Sequence, residues 1–206
     1  MKKLEKNQLA KVSRNLDKLF NHATIEDIVN GKDWYYEAHK WCKNTTMEYN
    51  NIFSPMAVAS VLSALSPNNK WEQNKKDVYK VLSAVMMGWK AEDIKVCTFH
   101  SNKYKAFEIA KGNLFIDITA RKTFSFVNNI SELNDRYVTI DLWHLRACFG
   151  KTMTSLGMLA YQQLEKLTIN KAKKVGMKGF EYQAIIWLVA QRLYNNEINQ
   201  IVYPNK

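Results

Sequence analysis

Cysteine, glycine and proline are all scarce in this sequence, whose 206 residues include three Cys, seven Gly and three Pro. Cys42, Cys97 and Cys148 are far apart and show no C-x-x-C spacing. This pattern argues against a disulfide framework and against a cysteine-rich zinc or iron–sulfur site. The four histidines are equally scattered, so we expect neither a metal ion nor another cofactor. With so little glycine and proline, no linker is evident.

Long apolar runs are also missing. No stretch of about 18 apolar residues occurs, which argues against a membrane span. The N-terminus, MKKLEKNQLAKVSRNL, is basic but is not followed by the apolar region of a signal peptide. We therefore expect a reduced, cytoplasmic protein without a membrane partner, and a monomer.

Positive charge, by contrast, is abundant: 30 Lys and Arg against 19 Asp and Glu give a net charge of +11. Such an excess favours polyanionic partners, with nucleic acid first and an anionic membrane surface second. The alternative is a lysine-rich composition whose charges merely face solvent.

Apolar residues recur at helical spacing along most of the chain, which predicts a mostly α protein of about nine or ten short helices. One four-residue segment, YVTI at 137–140, is β-like instead. Thr24 and Asp27 have the spacing of a helix start, and Gly31 is a predicted helix end. The predicted helices cover 3–20, 24–31, an aromatic stretch in 32–46, 56–65, 71–87, 101–112, 117–130, 153–174 and 181–195.

Five segments, in order, carry a family resemblance. They are AVASVLSALSPNNKWEQNKKDVYKVL from Ala57, NKYKAFEIAKG, ARKTFSF, VTIDLWHLRA and IIWLVAQRL. Together they resemble the helix–hairpin–helix DNA glycosylases of the endonuclease III type, in a divergent, phage-type form, over about 135 residues. The resemblance implies one glycosylase-like domain over residues 1–206, with two helical lobes around a cleft. One lobe would comprise about 24–115 plus the C-terminal helices, and the other 116–180.

The resemblance also implies a catalytic pair, Lys122 and Asp141. The carboxylate would stabilise the positive charge that develops on the sugar when a glycosidic bond breaks. A lysine in a poorly hydrated pocket could attack the sugar as a neutral amine and open a lyase route. The non-catalytic alternatives are that Asp141 only caps a helix and that Lys122 is an ordinary surface or phosphate-contacting lysine.

Other residues take expected roles from their place in the same motifs. His144, Trp71 and Trp143 are candidates for the base pocket, and His144 also for an acid or base, although a histidine one turn after Asp141 more often packs against a helix or lines a cleft. The segment 65–71 would enter the base stack while a nucleotide is flipped, or it is a simple turn. The candidate contacts to double-stranded DNA are Ser66, Asn68, Asn69, Lys70, Lys105, Arg121 and Thr123.

One departure from the family concerns the hairpin, which in the family reads Leu-Pro-Gly-Val-Gly. Here residues 116–120 read IDITA, so both glycines are missing. Glycine allows a backbone to approach a phosphate closely, so the usual hairpin contact would have to be rebuilt or is absent.

The sequence therefore predicts a DNA N-glycosylase, a hydrolase or glycosylase/lyase of base excision, located in the host cytoplasm if a bacteriophage encodes it. Two alternatives stay open. One is a phage base-hypermodification enzyme or a nucleosidase on the same scaffold, and the other is a non-catalytic DNA-binding or host-inhibiting protein.

Overall fold

The computed structural model describes residues 3–193, apart from the side chain of Lys151. Within that range the protein is helical and contains no β-strand, which confirms the mostly α prediction. The predicted end of the last helix at residue 195 lies outside the described residues. The α-helices are α1 (Lys6–Asn21), α2 (Ile25–Glu48), α3 (Pro55–Leu65), α4 (Trp71–Met86), α5 (His100–Ala110), α6 (Arg121–Ser131), α7 (Leu142–Phe149), α8 (Met158–Lys174) and α9 (Gly179–Leu193).

The chain forms two compact units. Of the described residues, 3–37 and 133–193 belong to the first unit, and 38–132 form the second. These limits differ from the predicted lobes, because the C-terminal helices α8 and α9 belong with α1, and residues 116–132 belong with the residues that precede them. Linear order gives no signal for a unit assembled from both ends of the chain.

The first unit has a core in which α9 is almost entirely buried. Apolar residues of α1, α7 and α8 surround it, including Leu16, Leu145 and Leu164, and each of these is at most 4% exposed. Arg192 on α9 donates a 2.6 Å hydrogen bond to the Asp27 carboxylate near the start of α2. Burial of these apolar faces, rather than helix propensity, is the main source of stability for such short helices.

Helix α2 begins as predicted, but it does not end at Gly31. Thr24 and Asp27 exchange hydrogen bonds through their side chains and backbone N–H groups, as a capping pair does. The helix then continues to Glu48. Gly31 instead allows close packing: a Cβ atom at this position would lie 2.7 Å from the backbone nitrogen of Ile185 on α9. The prediction of a helix end was wrong because glycine here serves helix contact.

The β-like segment 137–140 forms neither a helix nor a strand, and no strand lies beside it among the described residues. Side chains of α8 satisfy its backbone instead. The hydroxyl of Tyr161 accepts from the N–H of Ile140 and donates to the C=O of Val138, both at 2.9 Å. The Glu165 carboxylate accepts from the N–H of Val138 at 2.9 Å. These bonds meet the requirement that buried backbone groups be paired.

In the second unit, α3 packs against α4, α5 and α6. Ser54 caps α3, because its hydroxyl accepts from the N–H of Ala57 at 3.1 Å, and Pro55 occupies the first turn. Every residue from Val58 to Leu65 is buried. The sequence MAVASVLSAL is largely apolar on all faces, as expected for a helix that other helices surround.

Helix α6 begins later than predicted, at Arg121 rather than at Asp117 or Thr119. The carboxylate of Asp117 accepts from the Thr119 N–H at 2.7 Å, and the Ala120 N–H donates to the Asp117 C=O at 3.2 Å. Asp117 thus forms a turn of its own, which competes with the helix. Helix α5 ends at Ala110, and Gly112 follows with φ of +77°.

Among residues 3–193, no helix has both the length and the apolar character needed to cross a membrane. All three cysteines are free thiols, and Cys42 and Cys148 are buried. Burial raises the pKa of the Cys42 thiol to about 12, which makes it a poor nucleophile at neutral pH.

Candidate functional site

Asp141 lies between segment 137–140 and α7. It is the N-cap of that helix, and its carboxylate accepts from the backbone N–H of His144 at 2.8 Å. The residue is partly exposed. The helix cap is thus present, and it holds a negative charge in a defined orientation at the edge of the first unit. A cap and a catalytic carboxylate are compatible roles for one side chain.

A buried polar group lies near Asp141. The hydroxyl of Tyr35 donates to the amide oxygen of Gln183 at 2.8 Å. Burial raises the pKa of Tyr35, a hydrogen bond with the Thr139 side chain opposes that rise, and the nearby charge of Asp141 adds to it. The phenol therefore stays neutral, and its one proton is donated to Gln183.

His144 lies one turn after Asp141 and is fully buried. Its Nε2 is 3.1 Å from the hydroxyl of Thr168, which itself donates to the C=O of Leu164 at 2.9 Å. Because the Thr168 hydroxyl donates its proton to Leu164, Nε2 must carry the ring hydrogen and donate it to Thr168. Nδ1 then carries a lone pair. Within residues 3–193, Nδ1 has no hydrogen-bond partner.

Burial lowers the pKa of His144 to about 4. The imidazole is therefore neutral at pH 7 and is closed off from solvent. This is the environment of a packing histidine, and an acid or base role at a substrate would need a route that the buried ring does not have. Trp143, the third candidate for a pocket, packs against the core of the first unit, and the guanidinium of Arg146 lies 4.7 Å from its ring centre.

Lys122 belongs to the second unit, as the second residue of α6. It lies within the helix–turn–helix formed by α5, residues 111–120 and α6. Its side chain is exposed, so the surrounding protein does not provide the poorly hydrated environment that would favour a neutral amine. A nucleophilic role would need a bound ligand to remove water from this lysine.

The turn before Lys122 is built differently from a glycine hairpin. The carboxylate of Asp117 is occupied by Thr119, which donates to it from both its N–H and its hydroxyl. These bonds hold the pKa of Asp117 below its usual range, and the bond from the Thr119 hydroxyl has the largest effect. The nearby charge of Lys105 also lowers this pKa. A carboxylate in this turn opposes a phosphate contact there. Arg121 and Thr123, both partly buried, flank Lys122 at the start of α6.

Residues 66–70 form a short turn between α3 and α4. The Ser66 hydroxyl donates to the C=O of Ser63 at 3.0 Å and ends α3. Asn68 is exposed with φ of +60°, a conformation that asparagine tolerates better than most residues. Lys70 is exposed and directly precedes α4. These residues have ordinary turn chemistry, and two of them, Asn68 and Lys70, are accessible to a ligand.

Asp77 holds this turn in place from a fully buried position on α4. Its carboxylate accepts from Asn69 at 3.0 Å, from Gln73 at 2.9 Å and from the N–H of Cys97 at 2.7 Å. Burial alone would raise the pKa of Asp77, but these hydrogen bonds outweigh burial and keep the pKa below its usual range. The buried charge therefore connects residue 69 to the segment before α5.

Trp71 is the first residue of α4 and is partly buried. Its ring packs edge-on against Trp41 with centres 6.3 Å apart, and the ammonium of Lys75 lies 5.6 Å from its centre. Trp71 is thus a packing residue of the second unit that keeps one accessible side.

Two functional features were missed in the sequence. Asp77 is the one charged residue among the buried residues of α4, and the apolar residues Val78, Val81 and Leu82 that follow it were the signal. The second feature is a group of exposed apolar residues in the turn after α5: Leu114, Phe115 and Ile118. The signal was an apolar pair placed directly after Gly112 and Asn113, where a turn is expected to be polar.

In the described part of the chain, no group of three or more His, Cys, Asp and Glu side chains is arranged to hold a metal ion. Residues 1–194 match the model of DUF7178, described as a family of unknown function, and the chain belongs to that family. No curated protein and no solved structure matches the chain.

Proposed function

We propose that the protein is a DNA N-glycosylase, with or without abasic-site lyase activity. The observation that carries this proposal is the placement of Asp141. It is a partly exposed carboxylate held by a helix cap and preceded by a backbone segment that Tyr161 and Glu165 hold in place. A fixed carboxylate is what the developing oxocarbenium charge requires.

Two further observations support DNA as the substrate. The net charge of +11 favours a polyanion. The helices α5 and α6 are joined by a turn, and Lys122 lies at the start of the second helix, where a phosphate could reach it.

The reaction would run in two parts. The bond from C1′ to the base nitrogen breaks, and the base leaves with the electron pair, while Asp141 stabilises the positive sugar. In the hydrolytic form, water bonds to C1′ and loses a proton, and the departing base takes up one proton. In the lyase form, the neutral amine of Lys122 bonds to C1′ and loses a proton, and ring opening gives an imine. Because Lys122 is exposed in the free protein, bound DNA would have to supply its desolvation.

Borohydride trapping on a duplex with one abasic site tests the lyase form, and release of bases from modified duplexes tests the glycosylase. Asp141→Asn is the informative variant, because asparagine also caps helices and so removes the charge while it keeps the fold. We expect it to lower the rate by about 100-fold or more. Lys122→Ala should abolish the covalent adduct, whereas Lys43→Ala, a matched change at an exposed lysine of α2, should not.

A second candidate is a DNA-binding protein without catalysis. The exposure of Lys122 and the absence of both hairpin glycines from residues 116–120 favour it. DNA binding that is sensitive to salt, with no adduct and no base released by the wild-type protein, would support this candidate over the glycosylase.

A further inference from the structure

The turn between α5 and α6 presents an unusual group of side chains. We call residues 113–119 the hairpin tip. Phe115 is 80% exposed, Ile118 is 50% exposed and Leu114 is 38% exposed. Apolar side chains this exposed on one short turn mark an interaction surface more often than chance.

Hydrogen bonds hold both ends of the hairpin tip. The N–H groups of Asn113 and Leu114 donate to the C=O of Glu108 at 2.9 and 3.2 Å. The Asn113 side chain donates to the Glu108 carboxylate at 2.9 Å. At the other end, Asp117 is bonded to Thr119 and Ala120. The apolar residues therefore stand on a preorganised turn, which lowers the cost of inserting them into a partner.

The surroundings of the tip are positively charged. Lys111 is exposed just before it, Lys105 lies one and a half turns earlier on α5, and Arg121 and Lys122 follow it on α6. Two acidic residues lie nearby: Glu108 of α5 bonds to Asn113 and pairs with Lys111 at 3.4 Å, and Asp117 bonds to Thr119. The four cations therefore exceed the two carboxylates. Exposed apolar side chains with Lys and Arg side chains on both sides are complementary to a polyanion that has an apolar interior.

We propose that the hairpin tip inserts Phe115, supported by Ile118 and Leu114, between stacked bases of double-stranded DNA, while the flanking cations contact phosphates. This inference rests on the proposed action on DNA. Apolar wedges of Phe, Leu and Ile separate base steps and kink the duplex in other DNA-binding proteins. The wedge would replace the backbone-to-phosphate contact that a glycine hairpin makes and that Asp117 opposes here. It is separate from residues 65–71, the predicted base-flipping segment.

The test uses the full chain carrying Asp141→Asn, so that no chemistry disturbs the signal, and a duplex with 2-aminopurine at a central step. This base brightens when it unstacks. We expect the protein to raise its fluorescence. Phe115→Ser should remove most of that rise and weaken binding roughly tenfold, with the salt dependence unchanged because no phosphate contact is lost. Ile25→Ser, a change at an 84% exposed apolar residue of the first unit, should have no effect.

The outcomes separate the two proposals. Unstacking that depends on Phe115 without any base release by the wild-type chain would leave the wedge standing and reject the glycosylase. Binding and unstacking that are the same in Phe115→Ser would overturn the wedge alone. Binding to vesicles of phosphatidylserine and phosphatidylcholine that depends on Phe115, with no binding to DNA, would overturn it in favour of a membrane surface.

Discussion

The hydroxyl of Tyr161 bonds to the backbone N–H of Ile140 at 2.9 Å, directly before Asp141. The same hydroxyl donates to the C=O of Val138. The side chain of Tyr161 thus pairs two backbone groups of segment 137–140, which a neighbouring strand would pair in a sheet. The position of Asp141 depends on a helix that begins 17 residues later at Met158.

Tyr161→Phe removes both hydrogen bonds and leaves two buried backbone groups without that partner. We expect a loss of about 2 kcal/mol or more in the free energy of unfolding, together with weaker activity if Asp141 is catalytic. Urea denaturation measures the first effect. Tyr104→Phe is the control, since its hydroxyl bonds to Glu92 at the surface and its loss should cost less than about 0.5 kcal/mol. Equal stability of the two variants would contradict the role given to Tyr161.

His144 should make the stability pH-dependent. Its pKa is about 4 when folded, against an ordinary value of 6.5, because of burial. The unfolded chain therefore binds the extra proton between these values, so the contribution of His144 is complete above pH 6.5 and is lost as the pH falls toward 4. At pH 4.5 the loss is about 2–3 kcal/mol.

The measurement is the free energy of unfolding at pH 7 and pH 4.5 for the wild type and His144→Gln. The variant should be less stable at pH 7 but should lose less on acidification. His22→Gln, at an exposed histidine, should retain the wild-type pH dependence. The same drop for all three proteins would show that His144 does not titrate in this way.

Gly31→Ala should destabilise the first unit even though alanine is the better helix former. The new Cβ atom would lie 2.7 Å and 2.8 Å from the backbone nitrogen and Cα of Ile185, so α2 or α9 must shift. Overpacking of this kind costs about 1–3 kcal/mol. Thermal unfolding of Gly31→Ala and of Asn30→Ala, its exposed neighbour on α2, compares the same helix with and without the contact. A Gly31→Ala protein as stable as Asn30→Ala would show that the two helices can separate freely.

Asp77→Asn should release the turn at residues 66–70. One of the two oxygens would become an NH2 group, which would face either the donors of Asn69 and the Cys97 backbone or those of Gln73 and Lys80. We expect a loss of about 2–4 kcal/mol. Hydrogen exchange of residues 66–70 and 94–99 should rise in this variant. Glu72→Gln, which removes only the exposed ion pair with Lys75, should change stability by less than about 0.5 kcal/mol. Unchanged exchange in Asp77→Asn would mean that other contacts order the turn.

Several parts of the fold could be read directly from local pattern. Apolar spacing placed α3, α4 and α8 to within a few residues, and Ser54-Pro55 and Thr24 with Asp27 are local start signals that need no distant partner. The N-cap at Asp141 is of the same kind, because a carboxylate and the N–H three residues later meet within one turn of chain. Net charge, helical content and the positions of candidate residues along the chain can all be obtained without knowing which distant residues meet.

Other features depend on which distant residues meet. Gly31 does not end a helix because α9 lies against it, and the segment 137–140 is not a strand because Tyr161 and Glu165 satisfy its backbone. The burial of His144 and the exposure of Lys122 and Phe115 likewise cannot be read from spacing. Water is excluded by the whole packed unit and not by the neighbours of one residue, so pKa, accessibility and close helix contact were decided only by the tertiary structure.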